Sequence, residues 1–381
     1  MIQVAIVASV LSTVQPAAAQ TNAIPAPTTG PEVVWFARGG PEQQGNSQAT
    51  TSAKPKIQWT AKTGAPIQSS AALDDQRVYV GSDDGFLYAL NRKTGAVEWR
   101  FETQAPIEAS PILANGMVVF GSTDAHLYAV QSKTGALVWK HPTQDKIVAA
   151  VTPVTIGAEA ALIAGGYDGL VQARRLSDGV PLWDYKTDSY IYGSAAVSEN
   201  RVIFGGCDGA IHVLDAQKGT LIRRIEVGPY VGAAVAVQNN HAYFGHFGNR
   251  VAGVDLNAGT FVWHSTDTGF PFLSSAAMGS KALFIGGRDR TLHAFSPTDG
   301  QSLWTFRALG RIDSSPITFD TSVLFGSSDG RLYQLAQTDG AMQWSLDLGA
   351  PITATPAAQG RTIFVGTHDG SVYALEARNT P

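Results

Sequence analysis

The acids in this sequence are the first side chains to weigh for chemistry. Asp84, Asp124, Asp168, Asp208, Asp289, Asp329 and Asp369 each stand three residues after a glycine, with Gly248 in the one departing repeat. Gathered in space they would make a metal or acid–base centre. Distributed one to a repeat they make turns, because Asp-Gly between two β-rich runs accepts the positive φ that tight hairpins require. The spacing favours turns. Glu108 and Asp313 share another corresponding position, in the second and seventh repeats. A general acid and base must both reach the reacting atoms, and these two are separated by most of the repeats, so they are expected as solvated charges. His241, His246 and His264 could ligate a metal, yet no compact spacing joins them to each other or to a carboxylate or thiolate. Cys207 is the sole cysteine; it can form no intramolecular disulfide and is expected as a buried small apolar residue. No Gly-rich phosphate loop and no Gly-x-Ser-x-Gly elbow occurs, so nucleophilic catalysis has no candidate.

The elements that would position these groups are repeats. Gly81, Gly121, Gly165, Gly205, Gly245, Gly286, Gly326 and Gly366 are spaced by forty residues, with one interval of forty-four and one of forty-one. A second mark follows, a Thr-Gly, Asp-Gly, Lys-Gly or Ala-Gly corner with a large residue four positions on: Trp99, Trp139, Trp183, Trp263, Trp304 and Trp344, with Arg223 in the fourth repeat. One indole per repeat at a fixed place packs against the neighbouring repeat. Between these marks each unit holds four short strands, as in 66–73, 77–82, 86–91 and 96–102. Four strands per unit repeated radially describe an all-β, eight-bladed β-propeller of four-stranded antiparallel blades. The last unit lacks its Trp strand, and Lys56 to Thr63, carrying Trp59, stands before the first unit as an orphan. The N-terminal strand is therefore expected to complete the last blade and leave no open edge.

Inner strands of a propeller line its channel. Aligned, they vary at their second position, which offers Gln68, Glu108, Val148, Tyr192, Leu273, Asp313 and Thr353; Gln68, Glu108, Asp313 and Thr353 are the expected polar groups of the channel mouth. Tyr185, Tyr190, Tyr192, Tyr230, Phe270 and Phe272 fall at or just before the inner strands of blades four to six. Two readings stand for them: a partner-binding face, since clustered aromatics bury much area at low entropy cost, or packing between blades. The same sector holds the irregular repeats, with Arg223 for a tryptophan and Gly248 for an aspartate, and departures from a repeat pattern mark grafted function. Tyr190, Tyr192, Tyr230, Phe270, Phe272 and Arg223 are accordingly the expected partner site.

The first nineteen residues combine an apolar run with Ala17-Ala18-Ala19 before Gln20, as a secretory signal peptide does, though no Lys or Arg precedes the run. Residues 20–55 are rich in Pro, Gly, Ser and Thr, which describes a linker, with an aromatic island from Trp35 to Gly40 expected to dock on the propeller of residues 56–377. The apolar run is shorter than a membrane-spanning helix needs. Charged residues make up 15% of the chain and the net charge is −4, with no basic stripe, so nucleic acid is not an expected partner.

Val78 to Trp99 and Leu324 to Trp344 carry, nearly whole, a motif that resembles the PQQ-like repeat, Val-Tyr-Val-Gly-Ser-x-Asp-Gly-x-Leu-Tyr-Ala-Leu-x-x-x-Thr-Gly-x-x-x-Trp. Trp35 to Ser47 likewise resembles the Trp-x-x-x-Arg-Gly leader of such proteins. The resemblance implies one of two things. BamB-like proteins are non-catalytic scaffolds of outer-membrane protein assembly, which implies a periplasmic or envelope location, a protein or peptide partner, a monomer and no cofactor. Quinoprotein dehydrogenases of alcohols or sugars hold pyrroloquinoline quinone with Ca²⁺ over the channel, clamped by a tryptophan and a cysteine pair. With one cysteine and no long inserted loops, the sequence departs from that second pattern. The absent lipid-acceptor cysteine departs from the BamB pattern of membrane anchoring.

Overall fold

β-branched and aromatic runs broken by Asp-Gly and Thr-Gly corners leave the chain few options but short antiparallel strands. The computed structural model describes residues 33–35, 38–47, 49 and 53–377. The expected signal peptide of residues 1–19 lies outside them, as do the first part of the expected linker and the Phe36-Ala37 step of the aromatic island. Among the described residues the strands form eight antiparallel sheets, seven of four strands and one of five, arranged as a ring of blades. No helix there is long and apolar enough to cross a membrane.

In the first blade the strands are Ala72–Leu73, Arg77–Gly81, Phe86–Asn91 and Val97–Glu102. The innermost is much shorter than the 66–73 expected. Its first half runs beside the second strand without a regular ladder, because Ser69 substitutes for the backbone. The Ser69 hydroxyl donates to the Gly81 carbonyl and accepts the Gly81 N–H, both at 2.9 Å. Ser274 does the same for Gly286 in the sixth blade.

The repeat glycine meets the next blade at its tightest point. A Cβ on Gly81 would collide with Ile107, on Gly121 with Ile147, and on Gly205 with Val231. The series ends where the ring closes, with Gly366 against Ile67. The outer seam is held by the indoles. Trp59, Trp99, Trp139, Trp183, Trp263 and Trp304 donate their ring N–H to backbone carbonyls of the following blade at 2.8–3.1 Å. Trp344 is buried in the seventh seam without such an acceptor. There Arg361 takes the Ala377 carbonyl, donating from Nε at 2.9 Å and from Nη2 at 2.6 Å.

The last blade is ordered Lys56–Lys62, Ser371–Glu376, Thr362–Gly366, Ala357–Gln359, so the N-terminal strand closes it as expected. Register runs from Lys56 opposite Glu376 to Lys62 opposite Ser371, and Lys62 pairs with Asp369 at 2.7 Å.

Much of the stretch expected to be a linker belongs to the ring. Val33–Trp35 adds a fifth strand to the second blade, beside Ile112–Ala114. Residues 41–45 then cross the far end of the channel as a strap. Val197, Val237, Met278 and Thr318, at matching places on the inner strands of blades four to seven, donate their N–H groups to the carbonyls of Pro41, Glu42, Gln44 and Gly45 at 2.7–2.9 Å. An inner strand has no neighbour on its channel side, and the strap supplies the missing acceptors. Gly45 can do this because φ is +71° and Ala277 leaves no room for a side chain.

Two outcomes test this account. Deleting residues 56–63 is expected to abolish the cooperative melting transition, and a deletion variant that melts like the full chain would contradict closure by this strand. Gly121→Val forces a side chain onto Ile147 and is expected to cost about 1–3 kcal/mol of unfolding free energy by urea titration.

Candidate functional site

Alternation along each inner strand sends the second and fourth residues into the channel and buries the first and third in the blades. The channel encloses a cavity of about 380 Å³. Gln68, Glu108, Asp313 and Thr353 all line it, so the structure brings the four expected mouth residues into one site. Below them lies a ring of small side chains, with hydroxyls at Ser70, Ser110, Ser194, Ser275, Ser315 and Thr355. Arg38 and Gln43 of the strap also line the cavity.

A second ring at the mouth escaped the sequence reading. The residue before each turn position (Asp83, Thr123, Tyr167, Cys207, Phe247, Arg288, Ser328, His368) donates its N–H to the carbonyl two residues before the variable inner-strand position. These side chains therefore stand beside the first ring. The signal was available: of the two places between the repeat glycine and the turn residue, the first is Ser or Gly in all but two repeats, while the second changes in every one.

The two rings divide the mouth by chemistry. Asp83 and Glu108 make an acidic side. Burial and the Asp83 charge raise the Glu108 pKa against the pull of Lys146. Burial also raises that of Asp83, opposed by the Gln68 amide, which donates to it at 2.8 Å, and by His368. Across the mouth Asp313 receives Arg288 at 2.9 Å and Arg311 at 3.9 Å, two cations for one acid. Thr353 is hydrogen-bonded to His368 Nε2 at 2.7 Å.

Between these sides, blades three to five carry an apolar pocket of about 350 Å³ walled by Tyr167, Tyr190, Tyr192, Tyr230 and Phe247, with Cys207 among them. Tyr167 stacks on Tyr190 with ring centres 5.2 Å apart and leans on Tyr192 at 6.0 Å. Tyr230 meets Phe247 edge-on at 6.2 Å, and Lys146 Nζ sits 4.2 Å over the Tyr167 ring. Three of the expected aromatics are thus together, joined by two that were not expected.

The others lie elsewhere. Phe272 is 0% exposed; it occupies the first inner-strand position and fills the contact with Gly245, which excludes it from a surface. Phe270 is 51% exposed but does not line the pocket. Tyr185 is half-buried on an outer strand, hydrogen-bonded to His212 at 3.1 Å. Arg223 takes an indole's place in the seam between blades four and five, packed under Gly259, and is not on the aromatic lip. Cys207 faces the pocket rather than the core, and burial and Asp208 push its thiol pKa up.

A family model described as outer membrane protein assembly factor BamB matches residues 48–192 and 248–380. The chain belongs to this BamB family. The stretch between the matched segments, 193–247, carries Arg223, Tyr230 and Phe247. BamB from Moraxella catarrhalis is similar over 84% of this chain and 99% of that one, at 19% identity and a TM-score of 0.72. A computationally designed protein, Ika8, is similar over 83% and 97%, at 18% identity and a TM-score of 0.73. Quinohemoprotein alcohol dehydrogenase ADHIIG from Pseudomonas putida HK5 is similar over 90% and 79%, at 12% identity and a TM-score of 0.73. At such identities these likenesses show the fold alone. No curated protein sequence matches the chain.

The quinone that the dehydrogenase resemblance implies does not fit the residues present. Trp59, Trp99, Trp139, Trp183, Trp263, Trp304 and Trp344 belong to outer strands, so none offers a flat face in the channel. Cys207 has no second cysteine to pair with, and among the described residues no three His, Cys, Asp or Glu side chains converge on a point.

His246 gives the BamB-family ring a pH limit. Its Nδ1 accepts the Gly248 N–H at 3.0 Å, doing for this turn what the Ser82, Ser122 and Ser327 hydroxyls do for theirs. Burial, with smaller effects from His264 and Arg250, pushes its pKa down to about 4 from an ordinary 6.5. Between those values the unfolded chain binds the extra proton, so stability is lost as pH falls from about 6.5 towards about 4. The melting temperature is expected to drop across that window, and to drop less in His246→Gln; equal slopes would remove His246 as the cause.

Proposed function

We propose that this chain is a non-catalytic binding module of the cell envelope, which holds a protein or peptide partner on the aromatic lip of blades three to five. The observation that carries this reading is the open apolar pocket formed by Tyr167, Tyr190, Tyr192, Tyr230 and Phe247. Tyr190 and Tyr230 are more than half exposed. Rings held by stacking and left open to solvent lose little entropy on contact, and such residues dominate binding energy at interfaces. Exposed apolar residues elsewhere, such as Val97, Leu137, Leu221 and Met342, recur two residues before the seam position, one to a blade, and make no comparable pocket.

Membership of the BamB family supports a protein partner and an envelope location, and the lip's place in and beside the unmatched stretch 193–247 supports a partner particular to this chain. The acidic and basic sides of the mouth would orient a bound segment, with its cationic groups towards Glu108 and Asp83 and its anionic groups towards Arg288 and Arg311.

A photo-crosslinking residue at Tyr190 or Tyr230 is expected to yield a discrete adduct from the native envelope, with none from Leu221 on the outer rim. Tyr190→Ala with Tyr192→Ala is expected to weaken capture of that adduct's partner at least tenfold while melting is unchanged. Undiminished capture by this double variant would refute the lip as the site.

A further inference from the structure

The floor of the channel is electrostatically unfinished. Arg38 is buried there, and its Nη2 donates to the carbonyls of Gln43, at 3.0 Å, and Ala276. Its Nε and Nη1 have no acceptor among the described residues. Among the described residues no carboxylate tempers the charge, and burial pushes the pKa down to about 9. Burying an ion without its counter-charge is costly. Water cannot supply a counter-charge, and the open volume beside Arg38 is the channel cavity of about 380 Å³.

The layer above Arg38 is built of hydroxyls with fixed oxygens. Ser110 Oγ accepts the Ser70 N–H at 2.9 Å, Ser275 Oγ that of Ala234 at 3.1 Å, and Ser315 Oγ that of Ser275 at 2.9 Å. A hydroxyl whose oxygen is engaged by a backbone donor has its own hydrogen to give. Three such donors line the cavity that Arg38 closes, and no acid stands in their layer.

We propose that the channel floor binds a small oxyanion of the carboxylate or phosphate type, with Arg38 as its counter-charge and the Ser110, Ser275 and Ser315 hydroxyls as hydrogen-bond donors. Arginine suits either oxyanion, and the cavity has the volume of a small-molecule site. The cavity meets the aromatic lip at Tyr192 and Leu273, but Arg38 and the three serines are not lip residues, so the floor site stands or falls without it.

Calorimetric titration of the whole protein with succinate, and separately with inorganic phosphate, at pH 7 and constant ionic strength tests the proposal. Saturable binding of at least one anion is expected, at least tenfold weaker in Arg38→Gln. It is expected to be lost in Val148→Trp, which fills the mouth from the third blade without touching the floor. Binding of succinate alone identifies a carboxylate site, of phosphate alone a phosphate site, and of both a general oxyanion site. Should Arg38→Gln not fold, Val148→Trp and the pH profile carry the test, with wild-type affinity falling as pH rises through about 9. No saturable binding of either anion overturns the proposal, as does binding that Val148→Trp leaves intact.

Discussion

Blade can lie on blade only where the second strand ends without a side chain. At Gly81, Gly121, Gly165, Gly205, Gly245, Gly286, Gly326 and Gly366, an Ile, Val or Phe from the next inner strand sits where a Cβ would be. This contact sets how closely the inner strands approach, and hence the width of the channel they enclose. The indoles act at the opposite end of the same seam, where apolar area and an N–H to a carbonyl hold the outer strands in register. The narrow inner contact and the wide outer one together make each blade a wedge, and eight wedges of one angle close a ring.

Features that the repeat dictates were readable in the residues. Glycine, aspartate and tryptophan at fixed intervals define blades, turns and seams, and the orphan strand with Trp59 defines the closure. Alternation within the inner strand placed Gln68, Glu108, Asp313 and Thr353 in the channel for the same reason. Phe272 shows where residue type misleads. Its alignment with Ile67 and Ile107 assigns it to the buried parity, and its aromatic character alone suggested a surface. Tyr167 and Phe247 were missed because they sit in hairpin turns that meet the inner strands only through the folded ring.

Docking of the Trp35–Gly40 island was expected, but the place of Arg38 and Gln43 at the channel floor was illegible for a different reason. The segment that carries them has no periodicity and the composition of a linker, and no local preference orders it. Its order comes from four blades, each with an unanswered N–H on its channel edge, and those groups exist as a row only after the ring has formed. A stretch that reads as a linker in isolation is therefore the part that turns an open channel into a well.

The strand Lys56–Lys62 pairs with Ser371–Glu376, the most distant partners in sequence that any blade contains. Contacts of such separation form late, because a long loop must close before they give anything back. Until then Lys56–Lys62 waits with an open edge, the condition under which strands of different molecules pair. Lys54, Lys56 and Lys62 lie along or beside that edge, and like charges on two waiting strands repel. Lysines along such an edge disfavour pairing with another copy in the interval before the last blade exists.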